Sequence, residues 1–458
     1  MSLFTKSAAI CATALTTAVT AQTEKPNIIM IMADDVGYEC FGFSGSKQYK
    51  TPNLDKLAEQ GVVFTHAYSN PLCTPTRNKI MTGQTNIRNY SAFRVLNEEE
   101  KTFGHVMSDA GYETCIAGKW QLYGHYNKSH YLNKIGMHPE KSGFDEYYLW
   151  QVESLGGRFW SPLLNLNGET KQFGDDVYGP DVLFSKVTDF IDRKKDKPFF
   201  IYYPMILVHD PFVPTPHSKD KSCKDNQKNF EDMMEYMDFL IGKLMANLEK
   251  NGVADNTLIM FTGDNGTNIK IYSELNGKTI RGGKGKMTDA GTRVAFVAHW
   301  PKSGAKGKVC SDVIDFSDIL PTIADAGSTA IPEGTVMDGQ SFLPSIKGEK
   351  SDHDNIAYVS YFKGNSKEAA VYARDERYKL YADGKFFDIQ NDVMEEMPLD
   401  AEKLSEVQKA IKIKLQKKIT EMPQKGLKIH KYDKKAEEYK KMKAQGKGKG
   451  KNKKKGKK

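Results

Sequence analysis

Apolar runs rich in β-branched residues alternate with amphipathic helical segments along most of this chain. The run Asn27–Asp35 (NIIMIMADD) is apolar enough for a buried strand, and Asn53–Gly61 (NLDKLAEQG) has the pattern of a short helix. The same order recurs later, where the strand-like run Pro198–Pro204 and the amphipathic segment Phe230–Lys250 precede another strand-like run, Thr257–Gly266. Alternating strands and helices pack as βαβ units. The sequence therefore predicts an α/β fold with a large mixed, mainly parallel sheet flanked by helices.

The pattern changes after about residue 345, where short alternating runs replace the long buried ones. The runs around Ile356–Phe362 and Ala369–Ile389, with a turn signal at Asp383-Gly384, are typical of antiparallel strands, and a helical pattern follows at Ala401–Met422. A chain of 458 residues also exceeds what one hydrophobic core usually supports. We expect a large N-terminal α/β domain over 22–345 and a smaller C-terminal subdomain over 346–424, made of an antiparallel sheet plus a closing helix.

The first 21 residues have the features of a secretory signal peptide. Lys6 precedes an apolar stretch, and Val19-Thr20-Ala21 offers a small-residue cleavage site. No later segment reaches the roughly 20 apolar residues that a membrane-spanning helix needs. The sequence therefore predicts an exported protein, periplasmic or secreted, that is not transmembrane.

The net positive charge of the chain is concentrated in its last segment, 425–458. It holds sixteen lysines against three acidic residues, a local charge of +13 in a chain of net charge +8. Because its final stretch has almost no apolar side chain to bury, we expect it to be disordered. A flexible polycation attracts polyanions, including sulfated polysaccharide, without selecting a specific nucleic acid. The alternative is a solubilising tail that has no partner.

An odd number of cysteines remains once Cys11 leaves with the signal peptide. If Cys73 has a chemical role of its own, four remain that allow three disulfide pairings or none: Cys40, Cys115, Cys223 and Cys310. The sequence does not choose between these pairings and free buried thiols.

Acidic side chains follow two of the predicted strands at the point where each strand ends. Asp34 and Asp35 end the first strand, and Asp264 and Asn265 end a later one. Either pair alone could simply cap a helix. In open α/β sheets, however, ligands bind beyond the carboxyl ends of the strands, and three carboxylates with an amide oxygen suit Ca²⁺ or Mg²⁺. The two pairs together therefore indicate a site for a hard divalent cation.

A single cysteine stands in the stretch NPLCTPTRNKIMTG, which covers Asn70–Gly83. A thiolate is a soft ligand and suits a hard cation poorly. A cysteine that faces the acidic cluster makes more chemical sense if its sulfur has been replaced by oxygen.

These features together resemble the type I, formylglycine-dependent sulfatases of the alkaline phosphatase superfamily. The family motif is C-x-P-x-R followed by an apolar residue and T-G, and this chain meets it with Cys73, Pro75, Arg77, Met81, Thr82 and Gly83. The resemblance runs from about Pro26 to the C-terminal strands and excludes the lysine-rich tail. It implies an alkaline-phosphatase-like fold and a bacterial enzyme that removes sulfate from a polysaccharide or other carbohydrate.

The resemblance also implies a modified residue and a metal ion. Cys73 would be oxidised to formylglycine (3-oxoalanine) by a formylglycine-generating maturation enzyme, and one hydroxyl of its hydrate would attack the sulfate sulfur. The second hydroxyl would then expel sulfate as the aldehyde re-forms. The implied metal is Ca²⁺, with Mg²⁺ as the alternative, and its ligands would be residue 73 together with Asp34, Asp35, Asp264 and Asn265.

Four further residues match catalytic positions of the family. Arg77 would hold the hydrated residue 73 and the metal carboxylates. Lys119 in AGKW would bind sulfate and the nucleophile, and Lys284 in RGGKGK would contact a sulfate oxygen and the leaving oxygen. His209 in VHDPF would protonate the leaving oxygen, a task that suits a pKa near neutrality.

The chain departs from the family pattern in two places. Many relatives read G-K-W-H-L-G, but here GKWQLYGHY places Gln121 where the second histidine usually lies. Glutamine cannot exchange a proton, so it can only hydrogen-bond the hydrate or the sulfate, and His125 is a possible substitute. In TDAGTRVA, Asp289 and Ala290 stand where the family often has E-G-G. This second departure suggests altered local packing.

Substrate specificity should lie in loops over the strand ends. The segment Leu149–Glu169 mixes aromatic residues with Arg158, so Trp160 and its neighbours could stack on sugar rings while Arg158 binds a second sulfate or a carboxylate. Together with export and the polycationic tail, this segment favours a sulfated carbohydrate, either an algal polysaccharide or a glycosaminoglycan oligosaccharide.

Two other functions are compatible with the same residues. A phosphonate or phosphate ester hydrolase could use the same formylglycine, because its diester substrates carry one negative charge as sulfate esters do. A non-catalytic homologue could keep the fold and the tail only to bind polyanions. The full set of ligand and charged residues argues against this last alternative.

Overall fold

A computed structural model describes residues 25–363 and 369–423, together with residues 438 and 441. The predicted signal peptide and nearly all of the lysine-rich segment lie outside these residues. The strands are β1 Asn27–Ala33, β2 Val62–Tyr68, β3 Glu113–Lys119, β4 Glu146–Trp150, β5 Leu163–Leu166, β6 Glu169–Gln172, β7 Phe199–Pro204, β8 Thr257–Gly263, β9 Tyr272–Leu275, β10 Lys278–Arg281, β11 Arg293–His299, β12 Lys308–Asp315, β13 Ala357–Tyr361, β14 Ala370–Arg374, β15 Tyr378–Tyr381 and β16 Phe386–Asp388.

The α-helices are α1 Pro52–Gln60, α2 Cys73–Thr82, α3 Asn86–Asn89, α4 Phe103–Asp109, α5 Gly179–Lys194, α6 Asn226–Lys250, α7 Asp289–Thr292, α8 Ile319–Ala326, α9 Leu343–Ile346 and α10 Glu406–Glu421. Short 3-10 turns lie at Tyr38–Cys40, Gly42–Ser44, Pro139–Lys141, Ala254–Asn256, Pro301–Ser303, Phe316–Asp318 and Ala401–Lys403.

The main sheet has ten strands in the order β12-β2-β11-β8-β1-β7-β3-β4-β5-β6. The central strands β8, β1, β7, β3 and β4 are all parallel to one another. Antiparallel pairs occur toward the two edges, where β11 pairs with β8 and β2, and β5 pairs with β4 and β6. The prediction of a large mixed, mainly parallel sheet is confirmed.

Strand β1 shows why its sequence is apolar at every position. Side chains of a strand alternate between the two faces of a sheet. Ile29 and Ile31 belong to the core that packs under α1, α5 and α6, whereas Met30 and Met32 belong to the core on the opposite face, with α4 and α8. A strand covered by helices on both faces has no solvent-facing side, so it reads as one continuous apolar run.

The C-terminal part forms a second, smaller sheet of four antiparallel strands in the order β13-β14-β15-β16. Helix α10 packs on it through Leu415 and Ile419, which lie in one apolar cluster with Leu380 and Phe386. The helix begins one turn later than the sequence pattern indicates, because the side chain of Ser405 caps it and accepts a hydrogen bond from the backbone N–H of Gln408. The predicted antiparallel sheet with a helix is confirmed, and the boundary at residues 345 and 346 stays a prediction.

The five cysteines within the described residues all carry free thiols: Cys40, Cys73, Cys115, Cys223 and Cys310. Among the alternatives left open by the sequence, the structure has the one without disulfides. No helix in the described part of the chain combines the length and the apolar character needed to cross a membrane.

Candidate active site

Two neighbouring parallel strands bring the acidic residues together. Strands β1 and β8 pair in register, with Ala33 opposite Gly263, so the residues that follow each strand emerge at the same edge of the sheet. The backbone N–H of Asp35 donates to Asp264 Oδ1 at 2.9 Å, and Asn265 Nδ2 donates to Asp35 Oδ1 at 2.9 Å. The strand ends thus place Asp34, Asp35, Asp264 and Asn265 in one cluster, and none of the four side chains is exposed to solvent.

Two oxygen atoms of this cluster are buried without a hydrogen-bond partner. They are Asp264 Oδ2 and Asn265 Oδ1. A buried polar atom that lacks a partner is costly, and a bound ion is one way in which proteins satisfy such an atom. The chemistry of the donor set, three carboxylates and an amide oxygen, fits a hard divalent cation.

Cys73 lies at the first position of α2 and faces the acidic cluster. Its Sγ and ligand oxygens of Asp34 and Asp264 all lie within 4.8 Å of one another, and the residue is 3% exposed. One turn later, Arg77 donates from Nη1 to the backbone oxygen of Lys119 at 2.6 Å. Its Nε and Nη2 atoms are buried without a partner, so its charge remains available to groups between Cys73 and the carboxylates.

Asp34 is compensated by two cations. Lys119 Nζ lies 2.8 Å from both carboxylate oxygens, and Arg158 Nη1 lies 3.4 Å from Oδ2. Burial opposes ionisation of Asp34, but the charges of Lys119 and other nearby cations outweigh it and hold the pKa of Asp34 well below its usual range. At Asp264 the balance is reversed, because burial and the negative charge of Asp34 raise its pKa well above the usual range.

Lys284, His209 and Asp35 form a second group on the open side of the cluster. Lys284 Nζ contacts Asp35 Oδ2 and lies 3.1 Å from His209 Nε2. Burial opposes the charge on Lys284, but the nearby negative charges, Asp35 foremost, outweigh it and raise the pKa of Lys284. His209 Nδ1 lies 2.9 Å from Asp210 Oδ1, and this hydrogen bond is the main cause that lowers the pKa of Asp210 to about 2. The anchored Nδ1 leaves His209 Nε2 directed at Lys284 and the cluster.

Gln121 and Gln151 form a pair of amides beside Cys73. They follow β3 and β4, which are parallel neighbours, and both have left-handed backbone angles, with φ of 49° and 59°. Gln121 Oε1 lies 3.6 Å from Cys73 Sγ, and Gln121 Nε2 donates to Gln151 Oε1 at 3.2 Å. The Nε2 atom of Gln151 is buried without a partner. The position of the family's second histidine thus holds a neutral amide that is oriented by another amide.

A cleft of about 540 Å³ opens over these residues. Cys73, His209, Lys284 and both glutamines line it, and its wall adds Phe93, Arg94, Trp150, Leu155, Arg158, Phe159, Trp160 and Val213. The cleft combines an apolar wall with a small number of charged and amide groups at its base, as small-molecule sites commonly do.

The residues that the sequence indicated for substrate binding have different surroundings in the structure. Trp160 lines the cleft, with its indole N–H donated to Pro214 O at 2.8 Å. The guanidinium of Arg158 stacks 3.9 Å from the Trp150 ring centroid and points to Asp34, so it serves the acidic cluster. His125 lies outside the cleft lining and stacks on His130 at 4.0 Å.

Asp289 is one of the residues at which the sequence departs from the family pattern. Its carboxylate is the negative charge in a buried group of ion pairs. It is unexposed and pairs with Arg374 at 2.6 Å, and Arg293 and Lys379 each lie 4.0 Å away. No sequence pattern indicated that Arg374, on a strand of the small sheet, would reach this segment.

Nothing in the sequence indicated Arg94, and sequence reasoning singled out neither Gln151 nor Trp150, although both lie in the segment Leu149–Glu169 that was predicted to contact substrate. Gln151 and Trp150 could have been found from their position. They lie at the carboxyl end of β4, beside the end of its parallel neighbour β3, where ligands bind in such sheets. Arg94 follows no predicted strand and has no comparable signal.

Comparison with known proteins agrees with this geometry. The family model described as Sulfatase matches residues 26–329, and the model for the C-terminal part of N-sulphoglucosamine sulphohydrolase matches residues 283–423. The chain belongs to the sulfatase family. It is a sulfuric ester hydrolase, as the sequence motif predicted.

The individual relatives have low sequence identity to this chain, but the similarity covers most of its length. N-acetylgalactosamine-6-sulfatase of Homo sapiens is 28% identical over 390 residues, which cover 76% of this chain and 70% of that protein. The crystal structure of Ps i-CgsB has a TM-score of 0.72 at 28% identity, covering 88% of this chain and 94% of the other, and Ps i-CgsB has also been solved in complex with k-i-k-neocarrahexaose. The phosphonate monoester hydrolase of Agrobacterium radiobacter shares the fold alone, with a TM-score of 0.65 at 18% identity and coverage of 87% and 95%.

Proposed function

We propose that this protein removes sulfate from a sulfated carbohydrate, using a formylglycine made from Cys73 and a bound divalent cation. The observation that carries the proposal is the position of Cys73, at the start of α2 and within reach of Asp34 and Asp264. A thiol at this position would be a poor ligand for a hard cation held by oxygen atoms. An oxygen nucleophile at the same position would suit both the cation and the reaction. A hydrated formylglycine supplies one hydroxyl to attack the sulfate sulfur and a second whose collapse releases sulfate.

The cation would be held by Asp34, Asp35, Asp264 and Asn265, with residue 73 beside them. Ca²⁺ suits this oxygen set, and Mg²⁺ is the alternative. When bound, the ion supplies positive charge that polarises the sulfate group and favours an ionised hydroxyl next to it. The unpartnered oxygens of Asp264 and Asn265 support this assignment.

The remaining polar residues would position the sulfate and its leaving group. Lys119 contacts Asp34 and Lys284 contacts Asp35, so both cations are close enough to the cluster to bind sulfate oxygens there. His209 presents Nε2 beside Lys284 and is anchored through Nδ1, which suits it to donate a proton to the leaving oxygen. Gln121 would hydrogen-bond the hydrate or the sulfate without exchanging a proton.

A carbohydrate substrate is supported by the cleft and by the relatives. Trp160, Phe93 and Leu155 give the cleft an apolar wall on which sugar rings could pack. The names of two relatives point to sugars, since one is an N-acetylgalactosamine-6-sulfatase and Ps i-CgsB binds a neocarrahexaose. We infer an exported enzyme that depends on a formylglycine-generating enzyme, on the basis of the residues of 1–21 and the motif at Cys73.

The test is release of free sulfate by protein that is co-produced with a formylglycine-generating enzyme. Substrates would be sulfated algal polysaccharides, glycosaminoglycans and their oligosaccharides, with a phosphonate monoester as the competing substrate. Release that is lost in Cys73→Ala and after chelation of divalent ions supports the proposal. Cys73→Ser is a sharper control, because it should stop after one step with a sulfate ester at position 73. Turnover of the phosphonate alone, by protein whose mass spectrum shows the aldehyde, would instead support a phosphonate hydrolase.

A further inference from the structure

Arg94 lies in the wall of the cleft, and its positive charge has no acidic partner among the described residues. Arg94 lines the same cleft as Cys73 and Lys284, and its Nη1 atom is buried without a hydrogen-bond partner. Across residues 25–363 and 369–423, no carboxylate lies within 4.0 Å of it. A buried donor on a charged group without a partner is costly, so a site of this kind favours an anionic ligand.

The other lysine and arginine residues that line the cleft, Arg158 and Lys284, differ from Arg94 in this respect. Lys119 and Arg158 both contact Asp34, and Lys284 contacts Asp35. Their charges therefore offset the acidic cluster. The Arg158 that the sequence suggested for a second anionic group is committed to this task, which leaves Arg94 as the candidate.

The chain holds Arg94 close to the reaction centre. Its backbone N–H donates to Thr74 Oγ1 at 3.1 Å, one residue after Cys73, and its backbone oxygen accepts from the N–H of Gly124 at 2.8 Å. Arg94 has a left-handed φ of 71°, a conformation that costs roughly 1 kcal/mol or more for a residue with a side chain. Its guanidinium lies 5.1 Å from the ring centroid of Tyr126. These contacts hold the backbone of Arg94 beside α2 and its guanidinium beside Tyr126.

We propose that Arg94 forms a second anion subsite, which binds a sulfate or carboxylate group of the glycan other than the sulfate that is removed. The planar guanidinium matches either group in a two-point hydrogen bond, and the neighbouring Phe93 gives the sugar an apolar surface. This inference rests on the proposed function and narrows it. The enzyme then prefers saccharides with at least two anionic groups over singly sulfated ones.

Two matched pairs of saccharides test the subsite by calorimetry in a Cys73→Ala background, where no turnover occurs. The first pair is κ-neocarrabiose, with one sulfate, against ι-neocarrabiose, with two. The second is an unsaturated uronate linked to N-acetylgalactosamine 6-sulfate against the same disaccharide with its carboxylate reduced to an alcohol, so the pairs separate the effect of a sulfate from that of a carboxylate. In at least one pair, we expect the added group to tighten binding about tenfold or more, as hydrogen bonds between charged groups do. Arg94→Gln should remove this gain, and Arg94→Lys should keep part of it.

Arg281→Gln is the matched control, because Arg281 also packs on a ring, that of Tyr272 at 5.7 Å, but does not line the cleft. It should leave both pairs unchanged. The proposal is overturned if neither added group tightens binding, if Arg94→Gln keeps the gain, or if Arg94→Gln weakens both members of each pair equally. Equal weakening would place Arg94 on the sulfate that is removed. Thermal unfolding of each variant checks that it is folded.

This experiment also separates the subsite from the reaction. Selective binding that depends on Arg94, together with no sulfate release by the mature wild type, would contradict the proposed function and keep the anion subsite. Sulfate release by the wild type, with binding that does not depend on Arg94, would support the proposed function and contradict the anion subsite.

Discussion

Single residues at the site are arranged so that buried charges compensate one another. Lys119 and Asp34 are both completely buried, and their contact is two-pronged. Removing one partner of such a pair leaves a charge in a medium of low dielectric constant, which typically costs about 3–5 kcal/mol. A divalent cation at Asp34 would compensate the same carboxylate. The stability of the protein therefore reports on metal binding independently of catalysis.

We predict that Lys119→Met lowers the free energy of unfolding by about 3 kcal/mol without added metal and that Ca²⁺ restores part of the loss. Urea unfolding with and without calcium chloride measures both effects. Lys379→Met is the matched control, because Lys379 is equally buried and pairs with Glu395 at 2.7 Å. Its loss of stability should not respond to Ca²⁺. If Ca²⁺ rescues both variants equally, or neither, the cation does not bind at Asp34.

At the scale of elements, the small sheet fixes the segment that carries Lys284. Lys379 Nζ, on β15, donates to the backbone oxygen of Met287 at 2.6 Å, and Arg374, on β14, pairs with Asp289. Burial opposes the charge on Asp289, but the cations around it, Arg374 first, outweigh burial and lower the pKa of Asp289. The C-terminal strands thus contribute to the site without lining the cleft.

We expect Arg374→Met to lower the free energy of unfolding by about 3 kcal/mol, since it leaves Asp289 buried without its closest cation. It should also lower kcat/KM about tenfold, because Lys284 lies a few residues before Asp289 and a small displacement of a positioning group is costly. Arg377→Met is the control, in the turn between β14 and β15 of the same sheet. Arg377 pairs with Asp388, but its side chain is 43% exposed, so both effects should be small. Equal effects from the two variants would refute this coupling.

His66 on strand β2 allows the cations around Asp289 to be tested through the pH dependence of stability. His66 lies on β2, and burial, followed by the charges of Arg293 and Arg374, lowers its pKa to about 4. The unfolded chain then binds a proton more readily than the folded protein does, so stability falls as the pH drops from about 6.5 toward 4. We predict that the loss of unfolding free energy between pH 7 and pH 5 is about 2 kcal/mol smaller in His66→Gln than in the wild type. Urea unfolding at the two pH values checks this, and an equal loss in both proteins would contradict it.

The elements that could be predicted from the sequence are those whose pattern follows from burial. β1, β7 and β8 are continuous apolar runs because helices cover both faces of the sheet, and the predicted ends of β1 and β8 therefore located the acidic cluster. β6 could not be predicted, because all its residues are exposed and its sequence ETKQ has no apolar pattern. Gln151 and Arg94 were also missed, since left-handed backbone angles in loops direct their side chains and no periodicity encodes such angles.

At the scale of the whole molecule, the distribution of charge separates two kinds of substrate contact. The cleft has a volume of about 540 Å³, which limits it to a short ligand, whereas the sequence of 425–458 carries a local charge of +13. Attraction between a polycation and a polyanion acts over a long range at low salt and is screened within about 8 Å at physiological ionic strength. Any contribution of this segment should therefore depend on both the length of the substrate and the salt concentration.

We predict that a variant that ends at residue 424 keeps the wild-type kcat/KM on a sulfated disaccharide but has a several-fold higher KM on a long sulfated polysaccharide at low ionic strength. A short substrate held in the cleft cannot also contact a second polycationic segment, whereas a long chain can bind at both places, which raises its effective concentration at the site. The difference in KM should disappear at about 0.5 M salt, where screening is nearly complete over a few ångströms. Replacing the lysines of 425–458 with glutamine, at constant length, is the matched control and should reproduce the truncation. If the truncated protein and the wild type have the same KM on the polysaccharide at low salt, the segment has no role in substrate capture and a solubilising role fits it better.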